Sequence, residues 1–344
     1  MTLEHAGAME VADATAVGAP RATNDRGRWW LPLSLVVLAG SLVLGVLIGP
    51  AGSWGAADWN IIWNVRMPRV ALAGVVGAML SLAGASYQGV FRNPLVDPYL
   101  LGVAAGAGLG ATIVFAVDRS ATAGWPIDPL PLAAFAGGLL AVLLTYLVGA
   151  SFGGSRSGVT LVLAGVAVTS LATAVQAFVL QRNNDVIREV YSWILGRLST
   201  ATWRDVTLVL PYVVASSVVL VLHRRHLDVL RVGDDEAVAL GTDVQRVRLA
   251  VVIAATLGTA AVVSVSGLIG FVGIVVPHAV RLLAGASYRR LLPLSLVVGA
   301  AFLILADIPG RVLQDPAETP IGVVTAFLGA PFFIVVLRTR KVVS

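Results

Sequence analysis

The sequence predicts an all-α integral membrane protein of about ten transmembrane helices, and three observations predict it. Of its 344 residues, 57% are hydrophobic and only 12% charged, against about 25% charged in an ordinary soluble domain. The mean hydropathy is +0.87. A soluble chain could not hide that much apolar surface, because much of its surface must face water. Apolar runs of about 20 residues, the length that crosses a hydrocarbon core, recur along the chain with polar connections between them. A cytosolic enzyme and a nucleic-acid-binding domain are excluded. The pI near 10.1 comes from basic residues in short clusters between apolar runs, not from one patch.

Residues 1–28 are polar and mixed in charge and read as a disordered cytoplasmic tail. Arg21, Arg26 and Arg28 precede Trp29, Trp30 and the first apolar run, which ends at Gly49. That run is too long for a signal-peptide core of about 7–15 residues and is read as a retained helix. Further apolar segments follow at 68–91, 97–117, 130–150, 158–182, 204–222, 246–266, 270–284, 291–309 and 320–337. The segment at 270–284 is short for a full span. Residues 29–338 read as one transmembrane domain, and 339–344 as a second cytoplasmic tail.

With both termini inside, 16 basic residues fall on the cytoplasmic side and eight outside, as the positive-inside rule requires. Trp54, Trp59, Trp63, Trp125 and Trp203 lie at outer loops or helix ends, where interfacial belts form. Stretches such as 73–85 and 102–111 are rich in Gly, Ala and Ser, which lets helix backbones approach closely. A faint internal echo joins Ser81, Gly84 and Pro94 to Ser264, Gly267 and Pro277, as expected of duplicated transporter halves.

The chain lacks the parts of an enzyme. It has no cysteine, so disulfides and thiolate or Cys-ligated metal chemistry are excluded. No GxSxG, HExxH or P-loop pattern appears. His223 and His226 have a metal-compatible spacing but no completing carboxylate or cysteine, and His278 reads as structural. Ion-coupled carriers usually place acidic groups at membrane depth; Asp97 and Asp307 lie near helix ends. Active transport would then draw its energy from a partner.

Three polar constellations remain. Outside, Asp58 is placed to cap a short surface helix, and Arg66, Arg69 and Arg311 stand on the side that should be poor in positive charge. They either anchor helices at headgroups or meet carboxylates of a soluble partner. Inside, VFRNPLVDP (90–98) puts two prolines where no regular helix can continue; Asn93 and Asp97 can bond to freed backbone groups. The segment is either a tight turn or a constriction. The longest inner loop, 223–248, carries DDEAVAL between Gly233 and Gly241. It is a short amphipathic helix whose three acids disfavour an anionic leaflet and favour a protein groove.

RMPRVALAGVVGA (66–78), the stretch 84–111, VLAGVAV (162–168), DDEAVALG (234–241), GLIGFVGIVVPHAVRLLAG (267–285) and AETPIGVVTAFLGAPFF (317–333) together resemble the FecCD-type permeases of type II ABC importers for ferric siderophores, haem and cobalamin. The resemblance covers about residues 60–340. It implies ten helices per subunit, a homodimer, two ATP-binding subunits on the cytoplasmic face and an extracytoplasmic substrate-binding protein. The setting would be the cytoplasmic (inner) membrane of a prokaryote. No cofactor, metal or nucleic acid would be held by this chain, ATP and Mg residing on the partner subunit. Arg66, Arg69 and Arg311 look like the docking arginines, and Asn93 and Leu95 match an inner gate. Ser157, Gly158 and Val159 fall where a second gate element lies, although hydroxyl residues are commoner there. The segment 228–241, with Leu230, Gly233, Asp234, Glu236, Ala237, Leu240 and Gly241, resembles the coupling helices that meet the ATPase. The cargo implied is an iron chelate, with cobalamin as the alternative and an ion-coupled secondary transporter as the reading from a different class.

Overall fold

The computed structural model describes residues 29–49, 58–117, 128–151, 158–313 and 317–341. The N-terminal tail, Trp54, Trp125 and Ser157 lie outside the described residues. Within them every regular element is helical. The order is α1 (Trp30–Leu47), α2 (Trp59–Ile61), a π-helical turn (Ile62–Arg66), α3 (Met67–Val90), α4 (Val103–Ala116), α5 (Pro129–Ser151), α6 (Gly158–Arg182), a 3₁₀ turn (Asn184–Val186), α7 (Ile187–Ile194), α8 (Trp203–Leu222), α9 (Arg224–Leu230), α10 (Asp234–Ala239), α11 (Val244–Ser266), α12 (Val272–Ala284), α13 (Tyr288–Val312) and α14 (Ile321–Lys341).

Each apolar segment read from the sequence coincides with a helix. By length and composition seven helices can cross a membrane, while α4, α12 and the apolar part of α14 are shorter. The 13 residues of α12 rise only about 20 Å, at about 1.5 Å per residue, against a core of about 30 Å. The segment expected from 97 begins as α4 only at Val103. Pro94 and Pro98 interrupt the helix, and Gly102 turns with φ +89°, a conformation that suits glycine. The amphipathic α7 and the first turn-pair of the long loop, α9, were not anticipated.

The centre of the bundle is α3, whose residues are buried from Pro68 to Val90 with few exceptions, together with α11 and α13. Glycine sets their spacing. A Cβ at Gly77 would run into the carbonyl of Gly299 on α13, and one at Gly84 into Gly273 on α12. This is the close backbone approach by which helices associate where lipid and side chains are equally apolar. α1, by contrast, shows most of its side chains outward; Ser34 and Ser41 face in and bond to their own Leu31 and Leu38 carbonyls.

Two breaks meet inside the bundle. The 91–102 loop and the 267–271 connection touch through Tyr99, whose hydroxyl donates to the Ile269 carbonyl and accepts from the Ile269 N–H, both at 3.1 Å. Ser266 accepts from the Arg197 N–H at 2.7 Å. Irregular backbone at such depth is viable only when its polar groups are satisfied within the protein. The echo holds only in part: Pro94 lies in the first break, whereas Pro277 lies inside α12 and the second break is made at Gly267–Phe271 with positive φ at both ends.

Candidate functional site

At one end of the bundle, α2 and the π turn bring Arg66 one turn before Arg69 of α3. Asp58 caps this segment by accepting from the Asn60 N–H, as expected. Asp307 and Arg311 lie on adjacent turns of α13. Arg69 takes both Asp307 oxygens, Nε at 2.8 Å and Nη2 at 2.9 Å, and Nη1 donates to both oxygens of Glu318 at 2.9 and 2.8 Å. Arg311 donates to Asp307 Oδ2 through Nε at 2.7 Å and Nη2 at 2.5 Å. Its Nη1 reaches the carbonyls of Gly45 at 2.7 Å and Ile48 at 3.2 Å. Arg66 donates to the Val46 and Leu47 carbonyls at 3.2 and 3.1 Å. Arg66 and Arg311 therefore satisfy carbonyls at the C-terminus of α1, where the helix dipole favours cations.

The three arginines are brought together, but they are 5%, 7% and 1% exposed. They are turned inward, so a partner's carboxylate would have to compete with Asp307, Glu318 and the α1 carbonyls. Asp307 and Glu318 were missed as their counter-ions. Asp307 lies 238 residues from Arg69, so only the packing of α13 on α3 joins them.

At the opposite end α3 stops in a Schellman arrangement. The Arg92 N–H bonds to the Gly89 carbonyl and the Asn93 N–H to the Gln88 carbonyl. The residue that must turn left-handed is Arg92, φ 49°, where glycine is usual and a side chain costs about 1–2 kcal/mol. Asn93 Oδ1 then accepts from the Leu95 N–H at 3.0 Å, and Asp97 Oδ1 from the Tyr99 N–H at 2.8 Å. Asn93 is exposed and Leu95 half-buried. Gln88 ties the loop down by donating to the Val96 and Gly273 carbonyls at 3.3 and 3.0 Å.

Of the second gate segment, Gly158 opens α6 against the Phe91 ring, which brings it beside the 91–98 loop. Val159 is 70% exposed.

α9 and α10 cover the same end. Leu227, Leu230 and Ala237 are buried, whereas Val232, Val238 and Leu240 are 61%, 62% and 69% exposed. Leu230 and Ala237 therefore anchor the segment, and the outward apolar face is made by Val232, Val238 and Leu240. Gly233 and Gly241 take positive φ of 143° and 79°, bracketing α10, and the Glu236 carboxylate folds back over Gly233. Asp234 bonds to Arg248 at 3.1 Å and pairs with Arg92 at 3.5 Å. One carboxylate thus links α10 to α11 and to the end of α3.

Among the described residues no group of three or more His, Asp or Glu could hold a metal ion. His223 Nδ1 bonds to the Val219 carbonyl at 2.8 Å, and His278 packs edge-on against Phe332.

The chain is thus a polytopic helical bundle with two interlocked helix breaks and an apolar knob at one end. Residues 31–339 match the FecCD transport family, and the chain belongs to that family. It is 42% identical to the cobalamin import system permease protein BtuC of Halobacterium salinarum, over 82% of this chain and 74% of that one. It is 36% identical to the hemin transport system permease protein HmuU of Yersinia pestis, over 91% and 95% of the two chains. A solved metal-chelate type ABC transporter in an inward-facing conformation superposes with a TM-score of 0.82 at 30% identity, covering 91% of this chain and 99% of that one.

Proposed function

We propose that this chain is the membrane-spanning permease subunit of an ATP-driven importer that moves an iron chelate, a ferric siderophore or haem. Family membership and the relatives' haem, cobalamin and metal-chelate systems support the importer reading. The observation that carries the mechanism is the α9–α10 knob. It offers Val232, Val238 and Leu240 outward while Asp234 ties it to Arg92, the residue before Asn93. A push from an ATP-closing partner on that face would reach the 91–98 loop and Gly158 beside it. Asn93 and Leu95 with Gly158 and Val159 form the inner constriction in this reading, and Ser157 would adjoin them. Two such chains would enclose the pathway between them, with two ATPase subunits at the α9–α10 end, which is then cytoplasmic.

The opposite end receives the cargo-loaded binding protein. Docking would act through the Arg66–Arg69–Arg311 cluster as a whole. Its three cations face two carboxylates, a formal surplus of one positive charge.

Replacing Val238 and Leu240 together by Asp should abolish co-purification with the ATPase subunit while the chain still inserts and melts as before. Retained assembly, or cargo movement by the chain alone in liposomes driven by an ion gradient, would overturn the reading. Titrating the cognate binding protein with ferric siderophores, haem and cobalamin decides the cargo. Cobalamin is the second reading, favoured by the 42% identity to a cobalamin system permease.

A further inference from the structure

Beside the α9–α10 knob lies a pocket of about 210 Å³ walled by Arg92, Arg231 and Arg281 with Gln88, Pro94 and Tyr288. No acidic residue lines it. Its arginines are partly engaged. Arg281 donates to Gln88 Oε1 at 2.6 Å and Arg231 to the Ala286 carbonyl at 3.0 Å, and Arg92 faces Asp234 at 3.5 Å. Of the nearby acids, Asp228 is 3.9 Å from Arg231 and already accepts from Ser287 and the Tyr288 N–H. Asp234 is shared with Arg248. Asp234 is thus divided between Arg92 and Arg248, and the side chains of Arg92 and Arg231 remain nearly half exposed.

The other side of the same helix end is apolar. Val280 and Leu283 of α12, with Trp30, Leu33 and Val37 of α1 and Leu294 of α13, line a slot of about 190 Å³. Its hydroxyl, Ser34, is spent on the Leu31 carbonyl. Leu282 and Leu283, next to Arg281, are 72% and 57% exposed, as lipid-facing residues are. Gly285, with φ +88°, ends α12 between slot and pocket.

A cationic pocket and an apolar slot, on two sides of one helix end in a membrane protein, have the two-part chemistry of a phospholipid. Basic pockets between transmembrane helices hold anionic headgroups, and the planar guanidinium matches phosphate with paired donors. We propose that this end of the chain binds an anionic phospholipid, its phosphate among Arg92, Arg231 and Arg281 and one acyl chain in the α1–α12–α13 slot. The left-handed Arg92 follows from this: its costly backbone aims a guanidinium at the pocket, where glycine would have closed the helix without strain. The inference is independent of which cargo is carried.

The test is lipid retention by the intact chain in detergent, read by native mass spectrometry with dioleoyl phosphatidylglycerol and dioleoyl phosphatidylcholine as probes. Phosphatidylglycerol should be retained over phosphatidylcholine by about tenfold or more. The double variant R92Q/R231Q, at two side chains exposed enough to leave folding intact, should bring that ratio close to one. Filling the slot with Ala284→Phe should also lower retention. Millimolar inorganic phosphate should not displace the lipid. Equal retention of the two lipids, or an unchanged preference in R92Q/R231Q, overturns the proposal. Full displacement by inorganic phosphate would make this a free-anion site. Loss of ATPase-subunit binding in the double variant with lipid preference unchanged would give the arginines to a protein carboxylate.

Discussion

The two ends of the bundle use arginine in opposite ways. At the α1–α3–α13 end, Arg66, Arg69 and Arg311 are almost wholly buried, and their donors go to Asp307, Glu318 and the last carbonyls of α1. At the α9–α10 end, Arg92 and Arg231 keep nearly half their side-chain surface open and meet Asp234 and Asp228 only at 3.5 and 3.9 Å. The first arrangement fastens a peripheral helix to the core and offers a newcomer only the net charge of the whole cluster. The second leaves individual guanidinium groups open to contact from outside the chain. Arginines that look equivalent in a sequence thus differ in how tightly the fold delivers acceptors to them.

The comparison breaks most sharply at Asp307. Asp307→Asn removes the shared counter-ion of two buried guanidinium groups. It should destabilise the chain by about 3–5 kcal/mol, visible as early melting or loss of monodispersity in detergent. Asp234→Asn, whose carboxylate is itself 40% exposed and pairs with the nearly half-exposed Arg92 as well as the buried Arg248, should cost less than Asp307→Asn. Equal losses would mean that the two ends are built alike.

The smallest effect sharpens the contrast. Arg92→Gly should leave melting unchanged or raise it by up to about 1 kcal/mol, because glycine takes φ 49° without strain. Arg69→Gly, at the buried end, should be among the most damaging single changes. Melting curves of the two variants side by side decide whether Arg92 is kept for the fold or in spite of it.

Much of the architecture was legible because lipid imposes a simple code. Runs of about 20 apolar residues can only be helices there, and each one found from the sequence became a helix. Pro94 and Pro98 marked a true break, and Asp58 capped the segment it was expected to cap. Directions within short elements were not legible. α10 is six residues long, too short for periodicity to say that Ala237 faces in and Val238 out. Partnerships across the chain were equally hidden, since the distance from Arg69 to Asp307 is set by how Gly77 and Gly299 let two helices close. The left-handed Arg92 and Phe271 carry no signal at all in residue type.

Tyr99 has a consequence for how the bundle can move. One phenol oxygen serves both the amide and the carbonyl of Ile269, so separating the two breaks would strand a donor and an acceptor in a dry interior at a cost of several kcal/mol. The stretch around residue 99 and the stretch around residue 269 therefore travel as one solid piece. Any rearrangement that admits a bulky solute must find its sliding plane elsewhere, along surfaces that carry no such rivet.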